Sequence, residues 1–448
     1  MLRKYRTSLS NSIVLLMALV GIILFCSRMD GITKNTAVSL YGVDLIAYHT
    51  AARLISQGAD EEIYVTSGND FSGVDTGKFS ETARASGFEF RPTRYVYLPI
   101  FLVPFQLLGR LSFSDAAALF LSVNLSILLA VIVLQWRLIR GVFSPVIGLA
   151  LVVVLNMMSF PVFYGLKLGQ TTLTVYLCVC LIYYFTLKGR DTWAGFLLGL
   201  IVTLKYTPFI FILYFLYKKK YKLLISCFGT VVGLVLLSIT IYGLPLHKSY
   251  WLFIKGLSAG GISGWSSQSI LALLLRQFAG SSALSYELFI VSNGIFFLNL
   301  FAAGAVILAT CYFMRRKKTV TAGASFSLEF SAIVLCFLIV PSVSWLHYFC
   351  IATLPALIII TRCLKTGEGM QKKIILSLVF ISSCMILFYP NIYKILFILD
   401  KDSVTRLIIS FPLIGAGVLL AVNFFMLGSA RFFGKEEIVL SSKNKGCD

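Results

Sequence analysis

Long apolar stretches recur along the chain with only short polar breaks between them. After a first one at about 10–27 they lie at about 115–136, 143–163, 171–187, 193–217, 223–243, 286–314, 328–341, 347–361, 374–389 and 406–428. A hydrocarbon core of roughly 30 Å takes about 20 apolar residues per helical crossing, so lipid is the solvent for most of this chain. Composition agrees, with 58% hydrophobic and 13% charged residues, about half the charge of an average soluble domain. The expected fold is an all-α polytopic membrane protein, with residues 1–448 forming a single membrane domain.

Lys and Arg number 39 against 19 Asp and Glu, a formal charge of +20. In a soluble protein that excess would point to nucleic acid. Here the basic residues sit in the breaks between apolar runs, where positive charge is retained on the cytoplasmic side during insertion, and no nucleic-acid partner is expected. Arg3 and Lys4, Arg137 and Arg140, Lys188 and Arg190, Lys218 to Lys220, Arg315 to Lys318, and Lys372 with Lys373 all fall on that side in one topology. It has about 12 membrane helices, within a range of about 11–13. Residues 95–110, which carry Pro99 and Pro104, are then an interfacial helix, and 193–217 is two short helices meeting at a break between Lys205 and Pro208. The opposite choice, with 95–110 crossing and 193–217 unbroken, puts Arg137, Arg140, Lys188 and Arg190 outside. The first span reads as uncleaved, since no small-residue cleavage site follows it, and 429–448 reads as a cytoplasmic tail.

In this topology the unusual polar residues collect on the outer face. Residues 28–94 form a first extracytoplasmic loop, in which 43–57 reads as an amphipathic helix lying on the membrane surface, with Leu45, Tyr48, Ala52 and Ile55 along one seam and His49, Arg53 and Gln57 opposite. Residues 244–285 form a second outer loop. Most cysteines fall in or beside apolar runs without metal-ligand spacing, and neither a metal nor another cofactor is expected.

Asp44 opens the amphipathic helix, where an acid serves ordinarily to stabilise the free N–H groups of the first turn. The sharper reading is a general base at the bilayer surface. Lys205 stands at a broken helix inside the apolar zone. A snorkelling lysine is the bland account, and a counter-charge for an interfacial phosphate the functional one. Gln170 either caps the span that it begins or contacts a sugar or phosphate. His347 lies in Ser344-Trp345-Leu346-His347-Tyr348. An interfacial aromatic belt accounts for Trp345 and Tyr348, but not for an imidazole between them, which suits a donor to a leaving phosphate. Arg91, Arg94, Tyr95 and Tyr97 add a basic and phenolic rim.

Taken in order, the acid-containing helix after the first span, Tyr97-Leu98-Pro99, Gly169-Gln170, the segment Gly195 to Pro208 with its lysine, and Ser344 to Tyr348 resemble glycosyltransferase family 87 over about residues 40–360. The family includes polyprenol-phosphate-mannose-dependent mannosyltransferases. The resemblance implies a C-type glycosyltransferase-like fold, an outer-face active site, a polyprenyl-phosphate sugar donor and inversion at the anomeric carbon. It makes Asp44 the catalytic base and puts Lys205, His347 and Arg94 at the donor phosphate. Gln170, Tyr97, Trp345, Tyr348 and Gln268 are then sugar- or acceptor-binding. In the loop Trp265-Ser266-Ser267-Gln268-Ser269, serine stands where the family pattern leads one to expect asparagine.

The partners so implied are a polyprenyl-phosphate sugar, a lipid or glycan acceptor and membrane lipids, and the setting is a bacterial inner (plasma) membrane with the site on its periplasmic face. Two rivals remain at this level. A lipid or sugar transporter or flippase would line its path with the same residues, although no inverted repeat of hydropathy is visible. An O-antigen ligase-like enzyme would carry its large outer loop late, whereas here the large loop comes first.

Overall fold

A computed structural model of the protein describes residues 2–34, 42–64, 77–257, 260–279, 286–315, 322–387 and 403–429. The expected tail at 429–448, apart from Ser429, lies outside the described residues, as do Arg316 to Lys318 and parts of both outer loops.

The chain is almost entirely helical. A first helix, α1 (Leu2–Lys34), covers the expected first span. The segment expected to form the first loop holds α2 (Leu45–Ser56) and α3 (Gly77–Ala85), and α4 (Leu102–Gly109) follows it. There follow α5 (Phe113–Leu138), α6 (Pro145–Met157), α7 (Phe160–Leu168), α8 (Thr172–Leu187), α9 (Asp191–Leu204) and α10 (Phe209–Tyr217). Next are α11 (Tyr221–Leu257), α12 (Ile270–Phe278), α13 (Asn293–Arg315) and α14 (Ala322–Ile339). A 3-10 turn at Leu346–Ala352 leads into α15 (Thr353–Thr366), followed by α16 (Gly369–Leu387), α17 (Ser403–Ile409) and α18 (Phe411–Gly428). The short strands β1 (Gly260–Gly261) and β2 (Phe289–Ile290) pair antiparallel.

Among the described residues six helical stretches are long and apolar enough to cross a bilayer, or seven if the bent pair α6 and α7 is one span. Others, such as α8 and α9, are apolar but shorter. Caps set several boundaries: the hydroxyls of Ser112, Ser144 and Ser159 accept from the backbone N–H three residues on and open α5, α6 and α7. The stretch 193–217 is interrupted between Leu204 and Phe209. Pro208 cannot supply the N–H that a continuous helix would need. At 95–110 only a 3-10 turn at Pro99–Phe101 and the eight-residue α4 form, too short to cross.

Helix α2 differs from the surface helix read in the sequence. Leu45, Tyr48 and Ala52 are buried, but so are His49 and Thr50 on other faces, because α3, α4 and α5 pack around it. Among the described residues α2 is thus packed into the protein, and His49 Nε2 lies 3.1 Å from the Leu111 carbonyl.

Helices α9 and α11 pack closely. A Cβ added at Gly195 would stand 2.1 Å from the Leu223 carbonyl oxygen, and one at Gly199 2.6 Å from that of Cys227. Glycines four apart let two backbones approach, the usual device of helix pairs in lipid. This contact fixes the height of α9 and of Lys205 at its end.

Candidate active site

Four chain segments meet where α7 gives way to α8. Helix α7 ends on Gly169 in the left-handed conformation, φ 71°, and Gln170 N–H reaches back 3.0 Å to the Gly165 carbonyl, a helix stop that suits glycine. The turn before α2 docks onto this end: Gly42 N–H donates to the Lys167 carbonyl and Asp44 N–H to that of Leu168, each at 2.9 Å.

Asp44 therefore stands at the start of α2, yet its carboxylate makes no capping hydrogen bond to that helix. Instead Gln170 Nε2 donates to Asp44 Oδ2 at 2.6 Å. Asp44 lies outside the spanning helices. Burial pushes its carboxyl above the ordinary range, while hydrogen bonds from Gln170 and Thr93 and the charge of Lys205 pull the other way.

The other end of the Gln170 amide gathers donors. Its Oε1 accepts from Tyr97 Oη at 3.2 Å, Tyr48 Oη at 3.4 Å and Lys205 Nζ at 3.4 Å. Tyr48 and Tyr97 share a hydrogen bond of 2.9 Å, and Tyr97 lies 3.3 Å from Thr171 Oγ1. Lys205, extended at the helix break, donates to Tyr348 Oη at 2.6 Å and lies 4.4 Å from the centre of that ring. Its hydrogen-bond partners among the described residues, Gln170 and Tyr348, are neutral, and an ammonium has three donors, so a third N–H remains for a ligand. The next side chains, Tyr206 and Phe209, are 63% and 52% exposed on the outer surface of the helix bundle.

Asp44, Gln170, Lys205, Tyr97 and Tyr348 thus form one connected cluster. His347 sits at its edge. It is buried, with Nδ1 2.5 Å from Thr172 Oγ1, and its Cβ faces Gly165 of α7. Arg94 is buried in the extended segment leading to Tyr97, but the contacts that tie the cluster together run through the tyrosines. Gln268 is not brought to it. Its Nε2 donates to the Trp265 and Ile409 carbonyls at 2.7 and 2.8 Å, which makes it a loop-folding residue. Trp345 pairs in a β-bridge with Ser267 and faces Tyr286.

Sequence reasoning passed over Tyr48, Thr93, Thr171 and Thr172. Tyr48 was readable in principle, since it stands four residues after Asp44, on the same helical face. Among the described residues no group of three or more His, Cys, Asp or Glu could hold a metal.

Neither the curated proteins nor the solved structures compared with the chain yield a match. The family model of glycosyltransferase family 87 matches residues 95–341. That stretch contains Tyr97, Gln170 and Lys205, with Asp44 ahead of it and His347 just beyond. It is more than half of the chain, and the family expected from the ordered motifs is the one found. With its apolar helices and a match of that extent, this chain belongs to glycosyltransferase family 87 and is a membrane glycosyltransferase.

Proposed function

We propose that the protein transfers a mannose-like hexose from a polyprenyl-phosphate donor to a hydroxyl group of a cell-envelope lipid or glycan. Transfer takes place with inversion, on the outer face of a bacterial inner membrane and within a C-type glycosyltransferase fold. One observation carries the reading: a carboxylate and a lysine are held by the two ends of a single amide, Asp44 at 2.6 Å from Gln170 Nε2 and Lys205 at 3.4 Å from Gln170 Oε1.

The chemistry uses both ends. The acceptor O–H gives its proton to Asp44 while its oxygen forms a bond to the anomeric carbon. The bond from that carbon to the phosphate oxygen breaks, and its electron pair leaves with the polyprenyl phosphate. The added charge is met by Lys205, whose hydrogen-bond partners among the described residues are neutral, with His347 positioned nearby through Thr172. A preorganised donor of this kind is worth about 10²- to 10³-fold in rate, roughly 3–4 kcal/mol.

The distribution of basic residues supports an outer-face site. Arg137 closes α5 at the end remote from Phe113, Lys188 follows α8 at the end remote from Thr172, and Lys218 follows α10 at the end remote from Lys205. At that far end Lys218 pairs with the buried Glu329 at 2.7 Å and Lys220 with Asp191 at 3.2 Å. Positive charge gathered away from the cluster is the pattern of a cytoplasmic surface.

The test is incubation of the purified protein with polyprenyl-phosphate mannose and a panel of envelope acceptors. Release of polyprenyl phosphate in step with glycosylated product is the expected result. Donor that crosses vesicle membranes without being consumed would mean a transporter and sink the proposal.

A further inference from the structure

Helix α11 breaks after Tyr242. Gly243 has φ 73° and ψ 165°, a backbone region open almost only to glycine. Two residues on, Pro245 lies inside the helix and has no N–H to continue the ladder. The part before the break is long enough, at about 1.5 Å per residue, to cross a hydrocarbon core, so the part beyond it is free for another purpose.

A histidine clasps the break. His247 Nδ1 lies 2.7 Å from the Gly243 carbonyl oxygen and Nε2 lies 2.8 Å from Ser238 Oγ, and Ser238 is fully buried. A carbonyl can only accept, so Nδ1 carries the proton and, in the neutral ring, Nε2 accepts from the Ser238 hydroxyl. A break left to glycine alone would be loose. Bonded both to the helix before it and to the glycine itself, one imidazole fixes the angle at which the chain goes on.

That angle places a row of rings. Beyond the break Leu246 and Phe253 are buried, and Tyr250 and Phe253 lie against Tyr64 with ring centres 5.3 and 5.8 Å apart. Tyr64 is itself buried and donates from its hydroxyl to the Tyr97 carbonyl at 2.7 Å. Just before the break, Tyr242 Oη accepts from Gln106 Nε2 of α4 at 3.2 Å. Helix α11 thus grips residues 97–106 from both sides of its break, and packs on the turn Pro99–Phe101 between them.

Tyr97 depends on such a grip. It lies outside any helix, so no intrahelical ladder holds its backbone, yet its hydroxyl meets Gln170 Oε1 at 3.2 Å. That contact helps to fix which way the amide faces. With Oε1 turned to Tyr97 and Lys205, Nε2 is turned to Asp44; an amide turned over would set its oxygen against the carboxylate.

We infer that Tyr64 and His247 are positioning residues of the transferase, which act through Tyr97 on the Gln170 amide. His247 sets the break in α11, the rings beyond the break hold Tyr64, and Tyr64 holds the Tyr97 backbone. The inference rests on the proposed transferase reading for its catalytic meaning, but the placement of Tyr97 can be followed without substrate.

The test uses the full-length protein in lipid nanodiscs. Tyr64→Phe keeps the ring contacts and removes only the hydroxyl. It lowers kcat by about three- to tenfold, the usual effect of one hydrogen bond, leaves both KM values within about twofold, and speeds hydrogen exchange at residues 95–101 in the absence of substrate. In a Tyr97→Phe background, where Tyr48 still bonds Gln170 and activity stays measurable, Tyr64→Phe has no further effect, because the hydroxyl that it places is gone. His247→Ala, which removes both bonds of the clasp, gives the same exchange signature. Additive losses of kcat in the Tyr64→Phe/Tyr97→Phe double variant, or unchanged exchange at residues 95–101 in both Tyr64→Phe and His247→Ala, overturn the inference. Exchange that rises evenly over all helices, α16 included, marks general loosening and also overturns it. The expected exchange pattern in a protein that releases no polyprenyl phosphate would instead leave the positioning intact and count against the donor.

Discussion

Gly169 and Leu45 touch so closely that a Cβ added at Gly169 would stand 2.6 Å from that of Leu45. This contact seats the start of α2, and with it Asp44, on the end of α7. Gly169→Ala meets two penalties: a left-handed backbone at φ 71°, costing about 1–2 kcal/mol for an L-residue, and overpacking of about 1–3 kcal/mol. The expected result is a fall in stability of roughly 2–4 kcal/mol with a disproportionate loss of kcat, measured by thermal melting in detergent and by turnover per folded molecule.

Asp44→Asn keeps the shape and can still accept from Gln170, so the protein inserts and folds. Turnover falls by about 10²- to 10⁴-fold, the usual worth of a general base. Wild-type activity falls as pH drops through a value above the ordinary carboxyl range, because only the carboxylate can take the proton. Stability has the opposite sense. A folded-state pKa raised above the unfolded one gives stability that is present at low pH and lost as pH rises through the folded value. At neutral pH Asp44→Asn therefore melts above the wild type, and a variant that melts lower would contradict burial as the dominant cause of the shift.

For Lys205, loss of charge and loss of shape can be separated. Lys205→Met removes the cation and lowers kcat by about 10²- to 10³-fold, with a modest effect on acceptor KM. Lys205→Arg keeps the charge, but its planar fork does not fit the ammonium's place against Tyr348 and Gln170, so it restores only part of the rate. Steady-state kinetics with each substrate varied in turn decides; equal activity in Lys205→Met would remove the lysine from the reaction.

The α9–α11 contact predicts a remote effect. Gly195→Ala sets a methyl group 2.1 Å from the Leu223 carbonyl oxygen, so the helices must part and Lys205 moves with α9. Donor KM should rise by at least several-fold while acceptor binding is unchanged. Changes confined to thermal stability would show that Lys205 is held by its local contacts alone.

The helical, apolar character of the chain, the helix break at Lys205 and the shortness of α4 were legible because each follows from local chemistry, apolar length and a proline without an N–H. Of about 12 expected membrane helices, by contrast, six or seven stretches are long and apolar enough to cross among the described residues. The convergence of Asp44, Gln170 and Lys205 could be anticipated only through the ordered motifs, since no spacing rule links residues 126 or 35 positions apart. What escaped was tertiary. His49 and Arg53 made α2 look like a helix with a wet face, yet α3, α4 and α5 pack around it and bury His49, leaving Arg53 half-buried and Gln57 exposed, and a single sequence carries no sign of that. Gln268 entered the candidate site only through the resemblance; the Ile409 carbonyl to which its Nε2 donates lies 141 residues away.

The exposed Tyr206 and Phe209, flanking the break beside Lys205, bear on how the donor arrives. With the polyprenyl-phosphate donor proposed above, the prenyl chain can stay dissolved among lipid tails while only its phosphate head moves inward to the ammonium, so such a substrate need not be extracted from the bilayer. The relevant concentration is then a surface density: diluting the donor with inert phospholipid slows the reaction, whereas diluting the whole suspension with buffer does not.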